Sequence, residues 1–219
     1  MFYVILSFMI INLYKSENVS IGSQDTLYSF DIFDTLITRT TATPKGIFIL
    51  VQKKLDKLAN IPEFLKNNFV TIRMETEAYC RKNQFHLNQK FDCTFDDIYN
   101  VIQLNYNLSK EKTDEIKQIE IETELKNLVP IVENINKIKD LLTKQENIIL
   151  ISDMYYSEKI LKNFLAHIDP VFCDIKIFTS GDTDKRKSNG SLYRLINKQY
   201  KYKNKIHTGD NEFSDFIQE

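Results

Sequence analysis

The sequence predicts an α/β protein. Its core is a Rossmann-like parallel sheet, interrupted by an inserted all-helical cap. Three observations predict it. Four short β-type runs (Thr26–Asp31, Asn147–Ser152, Asp174–Thr179 and Lys205–Gly209) each end in polar or small residues. Between the first and second runs the apolar residues recur at i, i+3 and i+4, the period of helices. After the second run, helical and β-type segments alternate, as they do in units of parallel strands joined by crossover helices.

Taken in order, Met1–Tyr14 is an apolar run broken by Ser7 and Asn12. Its length suits the apolar region of a secretion signal. No Lys or Arg precedes it, however, and no small-x-small cleavage site follows, so a packed extension is the preferred reading. Thr26–Asp31 is the first strand. Pro44 suits a first helical turn, and Ile47, Leu50, Val51, Leu55 and Leu58 continue that helix until Asn60-Ile61-Pro62 breaks it. A second helix is expected from Glu63 to Arg81. Thr94 with Asp97 forms a capping box for a third, through Ile98, Val101 and Ile102. Ser109 caps a fourth through Ile116, Ile119 and Leu125, and Pro130 starts a fifth through Ile131, Ile135, Ile138 and Leu142. Asn147–Ser152 is continuously apolar, like a strand covered on both faces. Helices at about 158–167 and 192–200 then flank the third β run. The division expected is an extension and linker at 1–24, a core of 25–40 with 143–219, and a cap at 41–142.

Composition excludes several classes. The 219 residues carry 29 Lys+Arg against 30 Asp+Glu, with pI ≈ 6.3, so a dedicated nucleic-acid binder is disfavoured. Lys198, Lys201, Lys203 and Lys205, with Tyr200 and Tyr202, read as a solvated helix end instead. Three cysteines without metal-type spacing argue against a disulfide framework and for a reducing compartment, so a cytoplasmic location is expected, with secretion by the apolar N-terminus as the alternative. No window reaches the roughly 20 apolar residues of a membrane span.

Open parallel sheets bind ligands at the carboxyl ends of their strands. After the first run come Asp31-Ile32-Phe33-Asp34-Thr35, and after the second Ser152 and Asp153. Beyond the third lies Lys185-Arg186-Lys187, and the fourth ends in Gly209-Asp210 with Asp215 five residues on. Carboxylates, a hydroxyl and a lysine thus converge on one edge. Such a set suits magnesium-assisted phosphoryl transfer: the metal takes hard oxygen ligands, and one carboxylate can attack as a nucleophile.

The order hhhD-x-x-x-T, hhhS, K and GD-x4-D resembles the haloacid dehalogenase-like hydrolase superfamily over about residues 26–219. The strings SFDIFDTLITR, ISDMYYS, KSNGSLY and HTGDNEFSD, with RMETEAY and EIETE in the insertion, are similar to a subgroup of predicted hydrolases found fused to or beside glycosyltransferases. The resemblance implies that Asp31 is the nucleophile forming an aspartyl-phosphate, and that Ser152 and Lys187, with Thr35, hold the phosphoryl group. It also implies an Mg²⁺ bound by Asp31, the backbone carbonyl of Phe33 and Asp210, with Asp215 supporting the ion directly or through water. Read without the resemblance, Ser152 and Asp215 could each simply cap a following helix.

One departure matters. Phosphatases of this family carry a general-acid Asp two residues after the nucleophile, and here that position is Phe33. Asp34 is one step further, and on an extended segment it would point to the opposite side. The implied activity is a slow Mg²⁺-dependent phosphatase acting on a phosphorylated small molecule, sugar or glycan, with a glycosyltransferase as the partner the subgroup suggests. The contrasting reading is a catalytically degenerate module that binds a phosphorylated ligand or a glycosyltransferase. In the family a helix and a further strand follow the fourth motif. Phe213, Phe216 and Ile217 are therefore expected to make too short a helix, leaving the strand before Asp210 an exposed edge unless Met1–Tyr14 covers it.

Overall fold

A computed structural model of the chain describes residues 25–88, 90, 92–211 and 215. The expected roles of Met1–Tyr14 and of Phe213, Phe216 and Ile217 lie outside the described residues. The core is one parallel sheet in the order β5-β4-β1-β6, formed by β1 (Thr26–Phe30), β4 (Asn147–Ser152), β5 (Lys176–Thr179) and β6 (Asn204–Thr208). All four strands fall on the β-type runs of the sequence. Within the described residues β6 is an edge strand, as expected.

Alternation along the strands gives the sheet two apolar faces. Leu27, Ile149, Ile151 and Phe178 pack with Leu192, Tyr193 and Ile196 of helix α8 (Ser191–Gln199). Phe30, Leu150 and Ile177 belong to the main core on the other side. There α5 (Val132–Thr143) packs on β4 and α6 (Glu158–Ile168) on β5. The insertion is helical: α1 (Pro44–Leu55), α2 (Glu63–Asn88), α3 (Phe95–Asn105) and α4 (Lys110–Lys126). Both halves of the Thr94–Asp97 capping box form, and Ser109 accepts from Lys112 N at 3.2 Å. Helix α2 runs beyond Arg81 because no Gly or Pro interrupts it and its buried Gln84 donates to Asp97 Oδ2 at 3.0 Å. Among the described residues no helix is long and apolar enough to cross a membrane.

Two features correct the sequence reading. Pro130 does not start a helix. It ends β3 (Leu128–Pro130), which pairs antiparallel with β2 (Ile37–Arg39), and the helix begins at Val132. Three-residue strands are too short for an alternation signal, and a proline lacking an N–H is tolerated at the end of a two-stranded ribbon. The ribbon lies at the entry and exit of the helical insertion and so fixes its stalk. A short helix, α7 (Ser180–Thr183), also follows β5 directly.

The insertion is held by charge as well as by apolar packing. Arg73 and Glu120, both fully buried, make a two-oxygen pair with Nε–Oε2 at 3.0 Å and Nη2–Oε1 at 2.9 Å. Tyr99 Oη donates to Glu120 Oε2 at 2.6 Å, and Glu77 accepts from Arg73 Nη1 at 3.0 Å. The guanidinium also lies 4.7 Å from the ring centroids of Phe48 and of Tyr155, the latter on the core loop after β4. Removing one partner strands the other charge in the interior. Glu120→Ala should therefore cost about 3–5 kcal/mol in urea unfolding, while Glu63→Ala, which breaks a surface pair with Lys66, should cost about 1 kcal/mol or less.

Candidate active site

The site begins where β1 stops. Asp31 N still donates to Thr208 O of β6 at 2.9 Å, which places the Asp31 side chain at the carboxyl edge of the sheet. The next residues do not stay extended: Leu36 N and Ile37 N both donate to Ile32 O, at 2.9 and 3.1 Å. Asp34 sits in the left-handed region at φ 57, an arrangement Asp tolerates in turns, with its N donating to Ile37 O at 2.7 Å. The expectation that Asp34 points away along an extended segment is thus corrected. It lies on a turn, exposed, and Thr38 Oγ1 donates to its Oδ1 at 2.6 Å. Phe33 is buried, with the Arg39 guanidinium 4.2 Å from its ring centroid.

Lys187 reaches this edge from the loop after α7. Asp153, next to Ser152, holds that loop: its two carboxylate oxygens accept from Lys187 N at 2.7 Å and Ser188 N at 3.1 Å. Gly190, at φ 69, closes the turn through its N–H to Lys187 O at 2.8 Å, a backbone conformation that glycine adopts without strain. The Lys187 ammonium is only 4% exposed and sits between two carboxylates. It donates to Asp31 Oδ1 and, at 2.6 Å, to Asp215 Oδ1.

Asp215 is fully buried. Its Oδ2 accepts from Asn211 N at 3.0 Å, and its own N donates to Asn211 O at 2.9 Å. It packs directly over Gly209, where a β-carbon would fall 2.2 Å from Asp215 Oδ2, so only glycine fits. Behind Asp215 stands buried His207, whose Nε2 lies 3.3 Å from Asp215 Oδ1 and whose Nδ1 is hydrogen-bonded to Ser29 Oγ at 2.8 Å.

The structure thus brings Asp31, Lys187 and Asp215 into contact. Asp210 stays exposed on the loop after β6. Ser152 ends β4 beside Thr179 and is buried; Ser157, not Ser152, caps the following helix. Asp215 caps no described helix and instead faces Lys187. Thr35 is buried, its Oγ1 has no hydrogen-bond partner among the described residues, and its carbonyl accepts from Asn134 Nδ2 at 2.7 Å. Asp153 and His207 were not singled out as site residues from the sequence. The available signals were a carboxylate adjoining Ser152 and a histidine inside a strand.

Burial pushes Asp31 up to about 7, against the pull of Lys187 and with help from the charges of Asp215 and Asp210. Asp210 is raised by desolvation first and then by the carboxylates of Asp215 and Asp34. Asp215 moves the other way: burial alone would raise it, but His207 and Lys187 hold it well below the usual carboxylate range. For Lys187 burial acts to lower the ammonium, and Asp31 and Asp215 outweigh it and raise it.

Lys187 contacts two carboxylates, Asp31 and Asp215, which leaves an excess of negative charge that adds to the burial raising Asp31. A hard divalent cation would offset that excess, so the donor chemistry fits Mg²⁺. Among the described residues no three acidic, His or Cys side chains converge into a ready-made cage. Magnesium does not require one, since it commonly keeps several waters and binds through one or two carboxylates. Asp31, Asp210 and the Phe33 carbonyl are the groups that would hold it.

No family model matches the chain, and no curated protein matches it. Solved structures do. The chain is similar to a 2-haloacid dehalogenase from Pseudomonas syringae (TM-score 0.56, 13% identity, covering 88% of this chain and 81% of that one). It is similar to a HAD-type hydrolase from Bacillus subtilis solved with bound magnesium (TM-score 0.52, 14% identity, covering 90% and 84%). It is also similar to a protein described as a β-phosphoglucomutase from Thermotoga maritima (TM-score 0.51, 12% identity, covering 86% and 78%). The chain has the fold of the haloacid dehalogenase-like hydrolases.

The raised Asp31 has a measurable consequence. Its folded pKa of about 7 lies above its ordinary 3.8, so the folded chain binds that proton more tightly than the unfolded one. The stability this contributes is fully present below pH 3.8 and is lost as pH rises through about 7. Asp215, with a lowered pKa, contributes stability above its ordinary range that is lost only in acid. Asp31→Asn keeps the Asp215 contribution and removes that of Asp31. In chelator, its melting temperature should therefore gain on wild type as pH rises from about 4 to about 7, and the two should run parallel above that. Parallel curves for the two proteins between about pH 4 and about 7 would contradict the raised value.

Proposed function

We propose that the chain is a Mg²⁺-dependent phosphate-ester hydrolase acting through an aspartyl-phosphate on Asp31. The observation that carries this reading is the buried contact of the Lys187 ammonium with Asp31 at the carboxyl edge of a sheet with this fold. Lys187 holds the Asp31 carboxylate in one orientation, with Oδ1 engaged and the carboxyl carbon fixed beside the edge. The other Asp31 oxygen attacks the phosphorus, the bond from phosphorus to the ester oxygen breaks, and the departing oxygen takes up a proton from solvent. Water then attacks the phosphorus, the bond to Asp31 breaks, and the carboxylate is restored as phosphate leaves and the water's proton passes to solvent. Ser152 Oγ and Lys187 Nζ are the donors for the transferred phosphoryl oxygens. Mg²⁺ held by Asp31, the Phe33 carbonyl and Asp210 would offset the charge of that group.

Asp215 serves by fixing Lys187, and Asp153 by fixing the loop that carries it. The proton for the leaving group has no donor at Phe33, whose ring is buried under Arg39. General acid catalysis is typically worth ~10²–10⁴-fold, so turnover is slow except for good leaving groups. A cavity of about 610 Å³ lies between the insertion and the loop after β4, with Phe48, Met74 and Tyr155 as apolar wall, Arg39, Lys45 and Arg81 as cations and Glu77 as an anion. That lining suits the ring face and polar groups of a phosphorylated sugar, which is the proposed substrate class. A glycosyltransferase partner and a cytoplasmic setting complete the proposal; they rest on the local sequence resemblance and on composition. Phe33 favours the second reading, a non-catalytic module binding a phosphorylated ligand.

An aryl phosphate assayed with Mg²⁺ and with chelator separates the two readings. Wild type should release phosphate slowly, and only with the metal, and Asp31→Asn should abolish release. Equal rates for wild type and Asp31→Asn would leave the binding module as the better reading. Phe33→Asp should raise turnover by up to ~10²-fold for alkyl phosphates and much less for aryl ones. Equal effects on both would show that protonation does not limit the reaction.

A further inference from the structure

The helical insertion grips the loop of Lys187 through Asp92. Asp92 lies between α2 and α3 and is 1% exposed. Its Oδ1 accepts from Arg186 Nη2 and from Arg81 Nη1, both at 2.9 Å, and from Cys93 N at 2.9 Å. Its own N donates to Asp184 Oδ1 at 3.0 Å. Asp184 occupies the left-handed region at φ 54. Three residues further along the insertion, Phe95 N donates to Tyr155 O at 2.9 Å. Residues 184 and 186 are thus tied to the insertion, and residue 187 is tied to Asp153 of the core.

The grip continues into the insertion. Arg81 Nε donates to Glu77 Oε1 at 3.0 Å, and Glu77 accepts from Arg73 of the buried pair with Glu120. A continuous run of charged contacts therefore leads from the centre of the cap to the residue before Lys187.

The clasp is also half made. Asp92 Oδ2 and Arg186 Nε are both buried, and neither has a hydrogen-bond partner among the described residues. A guanidinium and a carboxylate can join by two parallel bonds, and here the donor and acceptor of the second bond stand on the two partners of one ion pair. The Asp92–Arg186 contact therefore uses one of the two bonds that this pair of groups can make.

We infer that Asp92 is a positioning residue for Lys187: through Arg186 it makes the placement of the lysine ammonium beside Asp31 depend on where the helical insertion sits. The catalytic side of this inference rests on the proposed hydrolase reading; the mechanical side does not.

The test uses the full chain with Asp92→Asn, which keeps shape and loses charge. A second variant is Arg186→Gln, at a side chain 27% exposed that water can solvate if the first variant does not fold. The first readout is acylation of lysines by an N-hydroxysuccinimide ester, mapped by mass spectrometry. In a folded variant, Lys187 should become labelled several-fold faster relative to the other lysines. Unchanged Lys187 labelling, or a uniform rise at all lysines together with a lower melting temperature, overturns the inference. The second readout is aryl phosphate hydrolysis, where kcat should fall about 10- to 100-fold with KM little changed. A fall confined to KM overturns the positioning role. If wild type has no phosphatase activity while the labelling still responds to Asp92, the hydrolase reading fails and the clasp stands.

Discussion

The carboxyl edge of this sheet is organised by the burial of one lysine. An ammonium that is 4% exposed is costly to desolvate, and it is tolerated because Asp31 and Asp215 meet it from two sides. Those three residues arrive from the ends of β1 and β6 and from the loop beyond β5. The requirement to pair one charge therefore fixes three segments that are far apart in sequence. The supporting contacts follow from it. Asp153 holds the backbone of Lys187 and Ser188, Gly209 makes room for the Asp215 carboxylate, and His207 backs that carboxylate from the sheet. Charge balance at this knot is unequal, because the carboxylates outnumber the ammonium. Burial first, and then the neighbouring carboxylates, raise Asp31 and Asp210, and a divalent cation would offset that negative charge.

A second buried charge performs a comparable task in the insertion. Arg73 from the string RMETEAY meets Glu120 from the string EIETE, and Glu124 of the same string accepts from Arg39 Nε at 2.6 Å. Arg39 belongs to β2 and covers Phe33, so the two strings of the cap lead back to the first motif. Aromatic rings from both regions, Phe48 and Tyr155, face the Arg73 guanidinium. Such pairs need not add net stability over apolar residues, but their bond directions fix how the helices sit against the core. The cap and the carboxyl edge of the sheet are thus joined by directional contacts as well as by apolar packing.

The fold was legible in the sequence wherever a period could be counted. The strands at Thr26, Asn147, Lys176 and Asn204, and the helices opened by Pro44, Thr94 and Ser109, all lie where periodicity and capping residues put them. The β2–β3 ribbon was not legible. Its strands are three residues long, and Pro130, a residue that often opens helices, ends one of them. Asp34 was misjudged because the chain leaves the extended conformation immediately after Asp31, and only the Ile32 and Ile37 backbone bonds reveal the turn. His207 carried no spacing signal, since its partners Ser29 and Asp215 come from β1 and from beyond β6.

By itself the sequence determined the identity and order of the chemical groups: an aspartate, a hydroxyl, a lysine and two further aspartates, met in turn at or beyond four β-type runs. Local spacing carries that information, because strand alternation and helix caps act within a few residues. Only the tertiary structure decided which of those groups touch. It turned Asp215 toward Lys187 and left Asp210 exposed, it buried Thr35 with no partner for its hydroxyl among the described residues, and it set Asp92 on Arg186. Pairing of buried charges depends on distance in space and on desolvation, and both arise only when segments remote in sequence are packed against one another.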